Sequence, residues 1–189
     1  MTRDELLNCF PKRLTCAEIG VLAGDFSESI LIRTDPRKLF LVDLWGQQPT
    51  AEYADTANRP DDAQERLYRQ VSDRFRYNPA VCIIRGMSDA VLPHLRNLDW
   101  MYIDANHSYD ASLNDMVTAA ECIHADGFLA GHDYAPCSRS GAPFGVIQAI
   151  DTFLQDHVGW KLRFITDERW ASWVMSKAPL PWLPPCTRL

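Results

Sequence analysis

Three times along this chain an apolar run stops on an acidic residue: at Leu41-Val42-Asp43, at Tyr102-Ile103-Asp104 and at Gly131-His132-Asp133. A fourth run, Cys16-Ala17-Glu18-Ile19-Gly20, opens into glycine-containing sequence. Strands buried on both faces of a parallel sheet read as continuous apolar runs. Open α/β sheets bind ligands beyond the carboxyl ends of such strands. The pattern therefore predicts several carboxylates converging on one crevice, suited to a polar, hydroxyl-bearing cofactor beside a second molecule.

The segments between the runs read as helices. Strands are expected near 15–20, 38–43, 80–84, 98–103 and 127–131, and helices near 25–34, 61–76, 87–95, 108–124 and 143–157. In the 61–76 segment Asp62 and Glu65 have capping-box spacing, and Leu67, Val71 and Phe75 recur every four residues as one buried stripe. In the 108–124 segment Leu113, Met116, Val117, Ala120 and Ile123 share a face, with Gly127 as a stop signal. Helices between strands require parallel pairing, and right-handed crossovers then build a doubly wound sheet. The end of the chain differs. Residues 161–166 and 170–176 flank the polar break Asp167-Glu168-Arg169, the signature of an antiparallel hairpin. The expected organisation is one domain over 1–189, with its core at about 15–176 and a proline-rich, irregular tail over 177–189. Two long polar loops, 46–60 and 134–143, fall at strand ends, where lids and specificity elements occur.

Composition narrows the function classes. At 189 residues the chain can bury a sizeable core. A formal net charge of -6 with scattered arginines argues against a nucleic-acid footprint, which needs a basic surface. None of the six cysteines forms a CxxC pair, so a structural zinc site is not expected. Met1-Thr2-Arg3-Asp4-Glu5 lacks the basic-then-apolar pattern of a signal peptide, and no apolar run approaches the roughly 20 residues of a membrane span. The expectation is a reduced, cytoplasmic protein with no membrane partner.

Five motifs carry chemistry. Glu18-Ile-Gly20-Val-Leu-Ala-Gly24-Asp25-Phe-Ser27 joins the first strand to the first predicted helix. Its glycines allow close backbone approach to a ligand, and a helix start favours an anionic group such as a carboxylate. It is not the dinucleotide pattern, because Leu22 stands where the second glycine belongs. Asp43 ends the second strand, where a carboxylate accepts both hydroxyls of a ribose. Trp45 follows it, either to stack on a flat ring or to anchor the loop in the core. Arg85-Gly86-Met87-Ser88 places a backbone N–H and a hydroxyl where an adenine edge would lie, although Ser88 also reads as an N-cap. Asp104-Ala105-Asn106-His107 puts Asp104 at the centre of the crevice, with His107 either functional or capping the next helix. His132 beside Asp133 suits proton abstraction at a strand end. Asp104, His107, His132 and Asp133 could instead share a divalent cation, magnesium if oxygens dominate and a transition metal if imidazoles do.

Taken in order, EIGVLAGDFS, FLVDLWG, RGMSD, MYIDANHSYD and GFLAGHDY resemble the class I S-adenosylmethionine-dependent methyltransferases. More narrowly they resemble the methyltransferase-24 group, related to macrocin-type O-methyltransferases, over roughly residues 15–175. The resemblance implies a Rossmann-like, seven-stranded, mostly parallel sheet closed by a C-terminal antiparallel hairpin. It implies S-adenosylmethionine as cofactor, with Glu18, Gly20 and Gly24 around its methionine part. Asp43 would lie at the ribose, Met87 and Ser88 at the adenine, and Asp104 near the sulfonium, with Ser27, Leu44 and Trp45 as further cofactor-binding candidates. Macrocin-type relatives bind magnesium through an aspartate after strand four and an acidic pair after strand five. Here the first matches Asp104, while the pair is His132-Asp133, so the metal set reads Asp104, His132 and Asp133 and His132 becomes a candidate base. The expected activity is methyl transfer to a small-molecule acceptor, a hydroxyl of a sugar or natural product, with His132, Asp133, His107 and Asp104 as catalytic candidates. The alternatives are a nicotinamide-dependent oxidoreductase and a non-catalytic nucleoside-cofactor-binding protein. Tryptophans 170, 173 and 182 serve either the core or a homodimer surface.

Overall fold

A computed structural model describes residues 1–51, 53, 55–138 and 141–186. Parts of the two long loops and the last three residues of the tail lie outside this range. The elements run α1 (Arg3–Cys9), β1 (Thr15–Ile19), α2 (Asp25–Thr34), β2 (Lys38–Asp43), α3 (Asp61–Phe75), β3 (Val81–Arg85) and α4 (Ser88–Val91). A 3₁₀ turn (Leu92–His94) follows, then β4 (Leu98–Ile103), α5 (Tyr109–Cys122), β5 (Ile123–Tyr134), α6 (Val146–Asp156), β6 (Lys161–Ile165) and β7 (Ala171–Ser176).

The seven strands form one sheet in the order β3-β2-β1-β4-β5-β7-β6. The pairings β2·β3, β1·β2, β1·β4 and β4·β5 are parallel, and β7 is antiparallel to both neighbours. The chain reverses direction across the sheet between β1 and β4, which opens a crevice at their carboxyl ends. Successive strand residues feed opposite cores. Leu39, Leu41, Trp100 and Tyr102 pack with Leu7, Phe26, Ile30, Leu67 and Val71 on one face. Val42, Met101 and Ile103 pack with Met116, Ala119, Ile150 and Phe153 on the other.

Several expectations need correction. Residues 3–9 form a helix that no periodicity announced; its N-terminus carries the capping box, Thr2 with Glu5. The box expected at Asp62 and Glu65 does not form: the N-cap there is Pro60, and the two carboxylates pair with Arg66 and Arg69 instead. The helix expected over 87–95 is one short turn that Pro93, lacking an N–H, converts to 3₁₀ geometry. Its N-cap is Met87, not Ser88. Gly127 does not end α5. It sits within β5, where a Cβ would stand 2.5 Å from the Asp99 carbonyl oxygen. On α5 the fully buried face is Ser112, Asp115, Met116, Ala119 and Cys122, one position back from the expected stripe. That rotation buries a carboxylate.

The described part of the tail, residues 177–186, forms no helix or strand, yet it packs. Trp182 lies edge-on to Phe10 with ring centres 5.4 Å apart and tilts against Phe128 at 4.9 Å. Trp173 is buried in the core.

Candidate functional site

The turn after β1 is shaped by what crosses it. Gly20 has φ +88°, and a Cβ there would stand 2.0 Å from the Asp104 carbonyl oxygen, so only glycine lets β1 leave beside the end of β4. Asp43 braces this turn from β2. Its Oδ2 accepts the Val21 and Leu22 N–H groups at 2.8 and 2.9 Å, and its Oδ1 accepts the Trp45 N–H at 2.8 Å. A carboxylate oxygen has about two acceptor positions, so Oδ1 keeps one for a ligand hydroxyl. The Trp45 ring is fully buried, tilted against Tyr68, with Nε1 donating to the Leu22 carbonyl at 2.9 Å. Of its two expected uses it takes the core anchor and stacks on no ligand.

Over these strand ends lies a cleft enclosing about 790 Å³ of empty space, open solvent included. That suits a nucleoside cofactor. Gly20, Asp43, Leu44, Met87, Ser88 and Asp104 line it, together with Tyr53, Gln64 and Asp115. Glu18, Gly24 and Ser27 do not. Gly24 packs against Phe75 and Val71. Glu18 is buried behind the wall, where the Ser27 hydroxyl donates to it. Burial raises the Glu18 carboxyl well above the usual range, against the Ser27 bond and with help from Asp104.

Beside the cleft, past the ends of β4 and β5, four side chains converge; Asp104 lines the cleft itself, while His107 and His132 line a small neighbouring cavity. His107 Nε2 stands 2.7 Å from Asp133 Oδ2 and 3.6 Å from Asp104 Oδ1. His132 Nδ1 stands 3.4 Å from the same Asp133 oxygen and 3.9 Å from Asp104 Oδ1. Neither ring nitrogen of His107 has an aligned hydrogen bond, so charge rather than hydrogen-bond direction sets its contacts. Burial works against its positive charge, but Asp104 and Asp133 outweigh it and push His107 up to about 10. Asp133 is held well below the usual carboxylate range: burial opposes this, and the two imidazoles prevail.

Asp133 reaches the cluster through strain. Its φ is +55°, and the β5·β7 register breaks between Gly131 and Tyr134. A bulge of this kind re-aims one side chain, and Asp is among the non-glycine residues that best tolerate the left-handed region.

The structure adds residues that the sequence did not single out. Arg3, from α1, meets Asp104 Oδ2 at 3.3 Å while its guanidinium stacks on Phe26. The 46–60 loop sends Tyr53 to the cleft, where its hydroxyl donates to the Ala105 carbonyl at 3.4 Å, and brings Asp55 Oδ2 to 4.0 Å from His107 Nδ1. Asp115 accepts the Ser88 hydroxyl at 2.6 Å. Only Arg3 had a sequence signal, the Thr2–Glu5 capping box beside it. Asp104, His107 and Asp133 each present one ligand atom, all within 4.8 Å of one another, a spacing that one divalent cation can bridge. His107 takes the place in this group that the sequence reading gave to His132.

Residues 17–134, more than half of the chain, match the family model of a methyltransferase domain, methyltransferase-24. The chain belongs to that family. It is a class I S-adenosylmethionine-dependent methyltransferase, which replaces the nicotinamide and non-catalytic alternatives. No curated protein matches it. Among solved structures, Thermotoga maritima spermidine synthase aligns with TM-score 0.60 at 13% identity, over 94% of this chain and 59% of that one. Aeropyrum pernix fibrillarin with natively bound S-adenosyl-L-methionine gives TM-score 0.61 at 12% identity over 92% and 73%. A TehB-like S-adenosylmethionine-dependent methyltransferase from Corynebacterium glutamicum gives 0.62 at 13% over 94% and 89%. The enzyme shares their fold. Among the described residues no helix is long and apolar enough to cross a membrane.

Proposed function

We propose that this methyltransferase, acting as one domain over its whole length, methylates a hydroxyl of a small molecule, with sugars and natural products the classes to screen first. The observation that carries this reading is that two imidazoles contact one carboxylate oxygen, Asp133 Oδ2, beside Asp104. When bound, S-adenosylmethionine supplies a methyl group already activated by its sulfonium. What remains for the chain is to align the acceptor and manage one proton. The cleft residues Asp43, Leu44, Met87 and Ser88 would hold the nucleoside, and Asp104 would face the positive charge. His107, charged at neutral pH, anchors Asp133 and is not the base. Asp133 favours the Nδ1–H tautomer of His132, which leaves Nε2 free to take the acceptor's proton. The net charge of -6 and the scattering of the arginines along the sequence support a small acceptor over nucleic acid.

A second reading rests on the spacing of Asp104, His107 and Asp133. Those three residues would hold a divalent cation whose chemistry is to lower the acceptor hydroxyl's pKa. Turnover that survives chelator and responds to no added metal supports the base. Turnover restored only by a metal supports the cation. For the base, His132→Ala should lower turnover by about 10²-fold or more while S-adenosylhomocysteine affinity stays within about twofold. Unchanged turnover in that variant removes His132 from the mechanism.

A further inference from the structure

The cleft has a direction. Along the sheet the strand ends present Asp104 on β4, Gly20 on β1, Asp43 on β2 and Gly86 after β3. Methyl transfer occurs at the Asp104 end, so a nucleoside running past Asp43 places its base at the β3 end. There the walls are Leu44, Met87 and Ala111, and the polar groups are Ser88 and Asp115. Asp115 is only 3% exposed, yet it lines the cleft. Its Oδ1 accepts the Ser88 hydroxyl at 2.6 Å, and no described residue donates to its Oδ2. Because Asp115 lines the cleft, that oxygen is an acceptor open to a donor on a bound ligand. Between apolar walls, the donor that fits is the amino group on the edge of a flat heteroaromatic ring.

We infer that Asp115, positioned by Ser88, is the residue that reads the exocyclic amino group of the cofactor's base and so selects adenine over its 6-oxo counterpart. This rests on the cleft being the cofactor site. The family match does not assign the role, and α5 supplies the residue by burying a face that its own apolar pattern does not mark. A hypoxanthine ring puts a carbonyl oxygen where the amino group was, setting two acceptors against each other. Burial raises the Asp115 carboxyl to about 6, against the Ser88 bond and with a contribution from Asp89, so the group is an acceptor at neutral pH.

The test is calorimetric titration of the whole protein at pH 7.5 with S-adenosylhomocysteine and with S-inosylhomocysteine. The wild type should prefer the adenine compound by at least about tenfold. In Asp115→Asn the side-chain carbonyl keeps the Ser88 bond and the amide N–H₂ faces the base, so the preference should fall below about threefold or invert. Equal binding of both compounds by the wild type overturns the inference while leaving the cofactor cleft in place, and needs no variant to fold. Binding of neither overturns it together with the cleft assignment. A folded Asn variant that keeps the wild-type preference also overturns it.

Discussion

Burial of the Asp115 carboxyl ties the stability of the fold to pH. Unfolded, its carboxyl titrates near the ordinary 3.8; folded, at about 6. Below pH 3.8 both states are protonated and the residue carries no penalty. As pH rises through the window to about 6, the folded state resists losing its proton and stability falls. Above that the full penalty, on the order of 3 kcal/mol, persists. Asp115→Asn should therefore raise the melting temperature at pH 7.5 and leave it nearly unchanged at pH 4. A variant that melts lower at pH 7.5 would show that the carboxylate stabilises the fold instead. This residue was illegible in the sequence, because apolar neighbours at 113, 116, 117 and 120 suggest a stripe that leaves 115 outside. Asp43, Asp104 and Asp133 were legible because each ends an apolar run. Their partners were not: the contacts of His107 with Asp55 and of Arg3 with Asp104 join residues far apart in the chain, and no local spacing encodes them.

At the scale of elements, the turn after β1 and the bulge in β5 do the positioning. Gly20 is the point where the chain's two directions across the sheet meet, and its Cβ would collide with backbone, not with a side chain that can swing away. Gly20→Ala should destabilise the protein by roughly 3 kcal/mol or more, or prevent folding, read by denaturant melts beside Gly141→Ala as a control. Gly141 also has positive φ but has nothing within 4 Å of its missing Cβ, so its substitution carries the backbone penalty alone. Losses of equal size would mean that the β4 contact is unimportant. The strand–helix alternation was readable because buried strands and amphipathic helices have different periods. Short elements were not: seven residues of α1 and four of α4 are too few to establish a period. The β5 bulge was also hidden, since a register break depends on what the neighbouring strand places opposite, here Trp173 against Gly131.

At the scale of the whole molecule, the carboxyl edge of the sheet holds the cleft and the polar cluster side by side. The ends of β1, β2 and β3 form the cleft walls; the ends of β4 and β5 carry the two histidines and two carboxylates. The tail lies over one core, with Trp182 against Phe10 and Phe128. Trp182→Ala should lower stability by about 2 kcal/mol, while turnover per folded molecule at low temperature stays unchanged. A selective loss of turnover would mean that the tail communicates with the site. The tail also bears on solubility. The outermost strand, β6, would otherwise offer an open row of backbone groups, yet the Cys186 sulfur takes the Ile165 N–H at 3.4 Å and returns its S–H to the Ile165 carbonyl at 3.8 Å. Unguarded edges of this kind recruit strands from other molecules. A chain trimmed before Cys186 would fail first in concentrated solution, by sticking to its own copies.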